Sequence, residues 1–153
     1  MAIDFVVYRE LVNLAKKFAP GGRGLMLGRQ RFPMKPSLKS FYDDVLTKAG
    51  FEGGVEAYRQ EDGYSETLFR KLGLCAIETM DFSDFEGADV LQDLNQPVDE
   101  ALHKQYDFIF DGGTTEHVFN VPVAFENLFH MLKPGGRLVS VNGFNNWPCH
   151  GMY

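Results

Sequence analysis

The feature that most constrains this chain is a repeated rhythm of short apolar segments, each with an acid or a glycine at or next to its end. GLMLG (24–28), LCAIETMD (74–81), ADVLQDL (88–94), YDFIFDG (106–112) and RLVSVNGF (137–144) are short for helices, and turn-forming residues bound them. Helical patterns fill the intervals. Residues 4–19 predict a helix capped by Asp4, with Tyr8, Leu11, Ala15 and Phe18 on one stripe, ended by Pro20-Gly21-Gly22. Ser37 caps a second, whose face is Leu38, Phe41, Tyr42, Val45, Leu46 and Ala49, closed by Gly50. Shorter helices are expected over 65–72 and 98–105. A longer one over 120–132 places Val121, Phe125, Leu128, Phe129 and Leu132 on its apolar face and stops at Lys133-Pro134-Gly135-Gly136. The segment RQRFPMKP (29–36) reads as a basic loop, and 51–63, polar with three glycines, as a mobile one. Five strands with helical crossovers predict an α/β fold: a mostly parallel sheet with helices on both faces.

At 153 residues the chain suits one domain, expected to span 1–153, with 1–22 as an N-terminal helix and 23–153 as the α/β core. Two cysteines build no disulfide scaffold, and Asp4, Arg9 and Glu10 interrupt any leader-like apolar stretch. With no run near the ~20 apolar residues of a membrane span, the expectation is a soluble cytoplasmic protein. The net charge of −6 is uneven: residues 1–60 carry ten Lys/Arg against six Asp/Glu, and 61–153 five against fifteen. That balance disfavours nucleic acid and anionic membranes as partners. The basic stretch from Arg23 to Lys48 has two readings: a solvated surface, or a small site for one carboxylate or phosphate.

In parallel sheets of this kind ligands bind beyond the carboxyl ends of the strands, which points at Gly28, Asp81, Asp93 and 111–114. On the residues YDFIFDGGTTEHV and NVPVAFENLFHMLKPGGRLVSV, the chain resembles the Rossmann-like class I S-adenosylmethionine-dependent methyltransferases. The likeness spans the family's fourth strand, the following helix, the Lys-Pro-Gly-Gly turn and the fifth strand. IETMDFS and VLQDLNQP are similar to its second- and third-strand ends. The resemblance implies S-adenosylmethionine as cofactor, with Gly28, Arg29, Asp81, Phe82, Asp93, Leu94, Asp111, Gly112 and Gly113 as its contacts. In that role Asp81 accepts the ribose hydroxyls, Asp93 receives the adenine amino group, and Phe82 and Leu94 sandwich the ring. Both acids are equally able to close turns, as Asp commonly does. Gly112 and Gly113 would admit the methionine portion, or simply form a turn.

The sequence departs from the family where LMLGRQRFPMKP replaces the glycine-rich loop. Only Gly28 remains; Arg29 stands in as a partner for the ligand carboxylate and Gln30 as an amide. No G-x-G-x-x-G follows any strand, which disfavours a nicotinamide dinucleotide. For chemistry, Glu116 and His117 follow the glycines, His117 as a proton acceptor from a hydroxyl or amine, or else as part of a tie between loop and helix. Asp111, Glu116 and His117 lie on one short segment, so no metal site is expected. Asn142, Asn145, Trp147 and His150 form a candidate substrate wall. Cys149 has no base paired to it by spacing, Cys75 reads as core, and His103 and His130 as surface or packing residues. The family's later strands are not found after 144, so strand 137–144 is expected to expose an edge that a second copy or a C-terminal cover would pair. Two functions are open: a methyltransferase for a small-molecule or glycan-like acceptor, and a non-catalytic domain of the same fold used in assembly or regulation.

Overall fold

The computed structural model describes residues 2–143. Phe144, Asn145, Trp147, Cys149 and His150 lie outside the described residues. Five strands form one sheet: β1 (Arg23–Leu27), β2 (Ala76–Asp81), β3 (Val90–Leu91), β4 (Tyr106–Asp111) and β5 (Leu132–Ser140). Every pairing is parallel and the order is β3-β2-β1-β4-β5. That is the order of a Rossmann-like sheet, reversing direction between β1 and β4.

The strands alternate their side chains between two cores. Met26, Phe108 and Phe110 join α1 (Phe5–Lys17), α2 (Lys39–Ala49) and α3 (Glu66–Lys71) on one face. Leu25, Leu27 and Ile109 join α4 (Val121–Met131) on the other. The first core is aromatic: Tyr8 lies 4.8 Å from Tyr42 and 5.5 Å from Phe32, ring centre to ring centre. Such pairs add about 0.5–1.5 kcal/mol each beyond their buried area. Cys75 is core, pressed against Gly24, where a Cβ would collide with its sulfur. Burial, and then the charge of Asp107, push its thiol pKa up to about 12.

Asp4 caps α1 as expected, accepting the N–H of Val7 at 2.9 Å, and Gly50 ends α2 at φ 85°. Ser37 caps nothing: a 3-10 turn over Pro36–Leu38 precedes α2 and no side chain caps it. The segment 51–63 is pinned rather than loose, because Val55 and Tyr58 are buried and Asp43 Oδ1 accepts the Val55 N–H at 2.7 Å. The expected helix over 98–105 shrinks to a 3-10 turn, Glu100–Leu102, and the expected strand over 88–94 to Val90–Leu91. Lys104 takes a positive φ of 53° and donates its N–H to the His130 carbonyl, so the chain turns into β4 instead of completing a helix. The Lys-Pro-Gly-Gly segment is a bulge inside β5: Leu132 pairs with Tyr106, and pairing resumes at Arg137 with Phe108.

The largest departure concerns α4. Its buried face is Ala124, Asn127, Leu128 and Met131, whereas Phe125 and Phe129 are exposed. Asn127 turns the helix this way. Its amide accepts the Val98 N–H at 3.0 Å and donates to the carbonyls of Leu94 and Gln96, so the segment 94–98 is stapled to α4.

Candidate functional site

Because the connections from β1 and β4 leave to opposite sides, a crevice opens at the carboxyl ends of the strands. A cavity of about 250 Å³ lies there, just below the ~300 Å³ at which small-ligand pockets usually begin. It is lined by Asp81 and Phe82 from the end of β2, by Gln92 through Asn95 after β3, and by Thr114, His117 and Val118 after β4. Asp81, Phe82, Asp93, Leu94 and His117, all singled out from the sequence, therefore meet around one hollow.

Both acids close local turns and face the cavity at once. Asp81 Oδ1 accepts the Ser83 N–H at 3.3 Å, while Asp93 Oδ1 accepts the backbone N–H of Asn95 at 2.9 Å and its side-chain amide at 2.8 Å. These bonds aim the carboxylates. Asn127 in turn fixes Leu94, which is buried and lines the cavity; Phe82 lines it too, with 77% of its surface exposed. An aromatic and an aliphatic side chain at one hollow suit a flat ring. Gly28, at φ 64°, completes the cradle: a Cβ there would come 3.1 Å from Thr114 Oγ1 and 3.8 Å from Asp81 Oδ2.

The remaining sequence candidates support the site from behind. Asp111 is fully buried and its carboxylate is saturated. Oδ1 accepts the N–H groups of Thr114 and Thr115, and Oδ2 accepts Thr115 Oγ1 at 2.5 Å, Ser140 Oγ at 2.9 Å and Asn142 Nδ2 at 2.7 Å. It ties the end of β4 to the end of β5 and does not line the cavity. Glu116, expected in catalysis, accepts the backbone N–H of Gly143 and stands 3.6 Å from His117 Nε2, which is half exposed. Gly112 is needed for packing, since a Cβ would meet the Phe110 ring at 2.8 Å, and Gly113 turns the chain at φ 90°.

Arg29 is committed within the protein: it donates to Glu66 at 2.5 Å, to Asp62 at 2.8 Å and to the Glu86 carbonyl at 3.2 Å. Three more cations of the basic stretch are paired internally, Arg23 to Glu78, Lys39 to Asp43 and Lys48 to Asp44, and Arg31 lies 5.1 Å from the centre of the Tyr64 ring. For these residues internally paired surface charge is the reading the contacts favour. Asn95 and Asn127 could not be picked out from the sequence. Thr114 belongs to the 111–114 stretch that the strand-end rule pointed to, and its hydroxyl donates to the Leu27 carbonyl at 2.8 Å.

A larger groove, about 360 Å³, runs between α1 and β5 along Val6, Leu14, Phe110, Val139 and Val141. It is apolar and lacks the convergent carboxylates of the strand-end cavity, so size alone does not locate the site. Among the described residues no group of three or more His, Cys, Asp or Glu is placed to hold a metal ion, and no helix is long and apolar enough to cross a membrane.

No family model and no curated protein matches the chain. Two solved structures resemble it. One is the trans-methyltransferase CalH in complex with SAH, at 20% identity and a TM-score of 0.44, over 85% of this chain and 34% of that one. The other is a protein of Methanococcus maripaludis described as a candidate S-adenosyl-L-methionine-dependent methyltransferase, at 17% identity and a TM-score of 0.44, over 94% of this chain and 66% of that one. The chain thus spans about a third of the first and just under two thirds of the second.

Proposed function

We propose that the protein binds S-adenosylmethionine in the strand-end cavity and methylates a hydroxyl or amine of a small-molecule or glycan-like acceptor. The observation that carries this reading is the convergence of Asp81, Phe82, Asp93 and Leu94 on one hollow at the reversal of strand order. A nucleoside asks for that donor set: a carboxylate with two oxygens for adjacent hydroxyls, an apolar slot for the base, and an acceptor for its amino group. Gly28 fits as well, because the space beside Asp81 is one that a side chain would fill.

Once bound, the cofactor supplies an activated methyl group on a sulfonium. The chain's own residues bind and orient. Asp81 holds the ribose hydroxyls, Asp93 the exocyclic amine, and Phe82 and Leu94 clasp the ring. His117, at the mouth of the cavity, receives the acceptor's proton, while Glu116 positions the turn that carries it by holding the backbone at Gly143. Asp111, Gly112 and Gly113 shape the scaffold beneath. The acidic total charge supports a neutral or cationic acceptor over nucleic acid.

Isothermal titration with S-adenosylmethionine and S-adenosylhomocysteine tests this. Saturable heat from both is expected. No heat and no thermal shift at millimolar ligand would return the chain to the non-catalytic alternative. Self-association through β5, the end strand of the described sheet, belongs to the same reading. Sedimentation showing a monomer at all concentrations would remove it.

A further inference from the structure

The loop between β2 and β3 carries Phe82, which lines the cavity, yet contains no helix to hold it in place. Its neighbour Phe85 is 91% exposed, so packing does not fix it either. What reaches the loop comes from elsewhere. Tyr64 Oη donates to Glu86 Oε1 at 3.1 Å, and Arg29 donates to the Glu86 carbonyl at 3.2 Å. These two contacts form one unit, because the Arg29 guanidinium lies 3.9 Å over the Tyr64 ring. The unit is braced from behind: Asp62 accepts from both Arg29 and the Tyr64 backbone N–H, and Gln60 links Asp62 to Glu66. The Tyr64 N–H, then Gln60 and Arg29, hold the Asp62 carboxyl below the usual carboxylate range, so this brace is charged at neutral pH.

We propose that Arg29, Tyr64 and Glu86 form a clasp that holds the Phe82 loop over the nucleoside, and that Tyr64 and Glu86 are positioning residues for its binding. This deepens the proposed nucleoside-binding function and rests on it for its ligand. It also gives Arg29 a role that its internal pairing allows, acting through the loop and not on the ligand carboxylate. Because the clasp acts on the base-facing wall, it governs adenosine as much as S-adenosylhomocysteine.

The test compares wild type, Tyr64→Phe, Glu86→Ala and the double variant. Tyr64→Phe keeps the ring beneath Arg29 and removes only the hydroxyl. Amide exchange read by mass spectrometry is expected to quicken in 82–88 and nowhere in the strands. The dissociation constants of adenosine and S-adenosylhomocysteine are both expected to rise about threefold to tenfold, the loss of one hydrogen bond, with the double variant no worse than the worse single one. Unchanged exchange and unchanged affinity in both single variants, or strictly additive losses, would overturn the clasp. If wild type binds neither ligand, the functional reading fails while the exchange measurement still decides whether the clasp holds the loop.

Discussion

Asp81 and Asp111 are the last residues of β2 and β4, the two parallel strands that flank β1, and the protein uses them oppositely. Asp81 keeps its carboxylate at a cavity, with one backbone N–H of Ser83 to aim it. Asp111 is buried under donors from Thr114, Thr115, Ser140 and Asn142 and closes the β4–β5 side as a polar knot. The lesson is that an acid at a strand end is left open to a cavity or locked as a rivet according to how many internal donors reach it. The cavity-lining carboxylates sit on the β2–β3 side, and the saturated one joins β4 to β5.

That contrast breaks most visibly at Asp111. Alanine there leaves several buried donors without an acceptor, which costs about 3–5 kcal/mol. Thermal unfolding should shift down by roughly 10 °C for a domain of this size. A shift within a degree or two would mean that the knot is not structural. At Asp81 the effect should move from stability to affinity. Asp81→Ala is expected to weaken S-adenosylhomocysteine binding by about 1–3 kcal/mol while leaving the unfolding midpoint almost unchanged. The reverse pattern would exchange the two roles.

A smaller loss is expected at the slot itself. Phe82→Ala removes one wall and should cost about 0.5–1.5 kcal/mol of adenosine affinity, measured calorimetrically. Smallest of all is the effect of acid. Asp107, held by the Lys133 ammonium and the Arg23 N–H, and Asp62 both have carboxyls below the usual range in the folded chain. The unfolded chain therefore takes up their protons first. Their stabilisation is complete above about pH 4 and is lost as pH falls through the lowered folded values. Both groups are close to solvent, so the decline in urea midpoint between pH 5 and 3 should be shallow, about the size of surface ion pairs. A steep drop would show that a buried group, and not this exposed pair, carries the transition.

Much of the sheet was legible because its signals are local. β1, β2 and β4 are apolar runs ended by Gly28, Asp81 and Asp111, and Asp4 and Gly50 mark helix ends by chemistry that needs no tertiary partner. What stayed hidden depends on partners distant in sequence. Nothing near Asn127 in the chain reveals that the carbonyls of Leu94 and Gln96 await its amide, so Phe125 and Phe129 outvoted it for the buried face of α4. The same holds for 51–63, whose glycines suggested looseness while Asp43 and the core took up Val55 and Tyr58. In the site, Asp81 and Asp93 line the cavity at the strand ends to which the sequence pointed. Asp111 and Arg29 do not, and only the fold shows that their hydrogen bonds are already made.

The most direct test is to follow backbone amide shifts in a labelled protein as S-adenosylhomocysteine is added. The largest changes are expected at 80–83, 92–95 and 114–118, with Gly28 among them. Changes confined to the apolar groove of α1 and β5, or a spectrum that never moves, would contradict it.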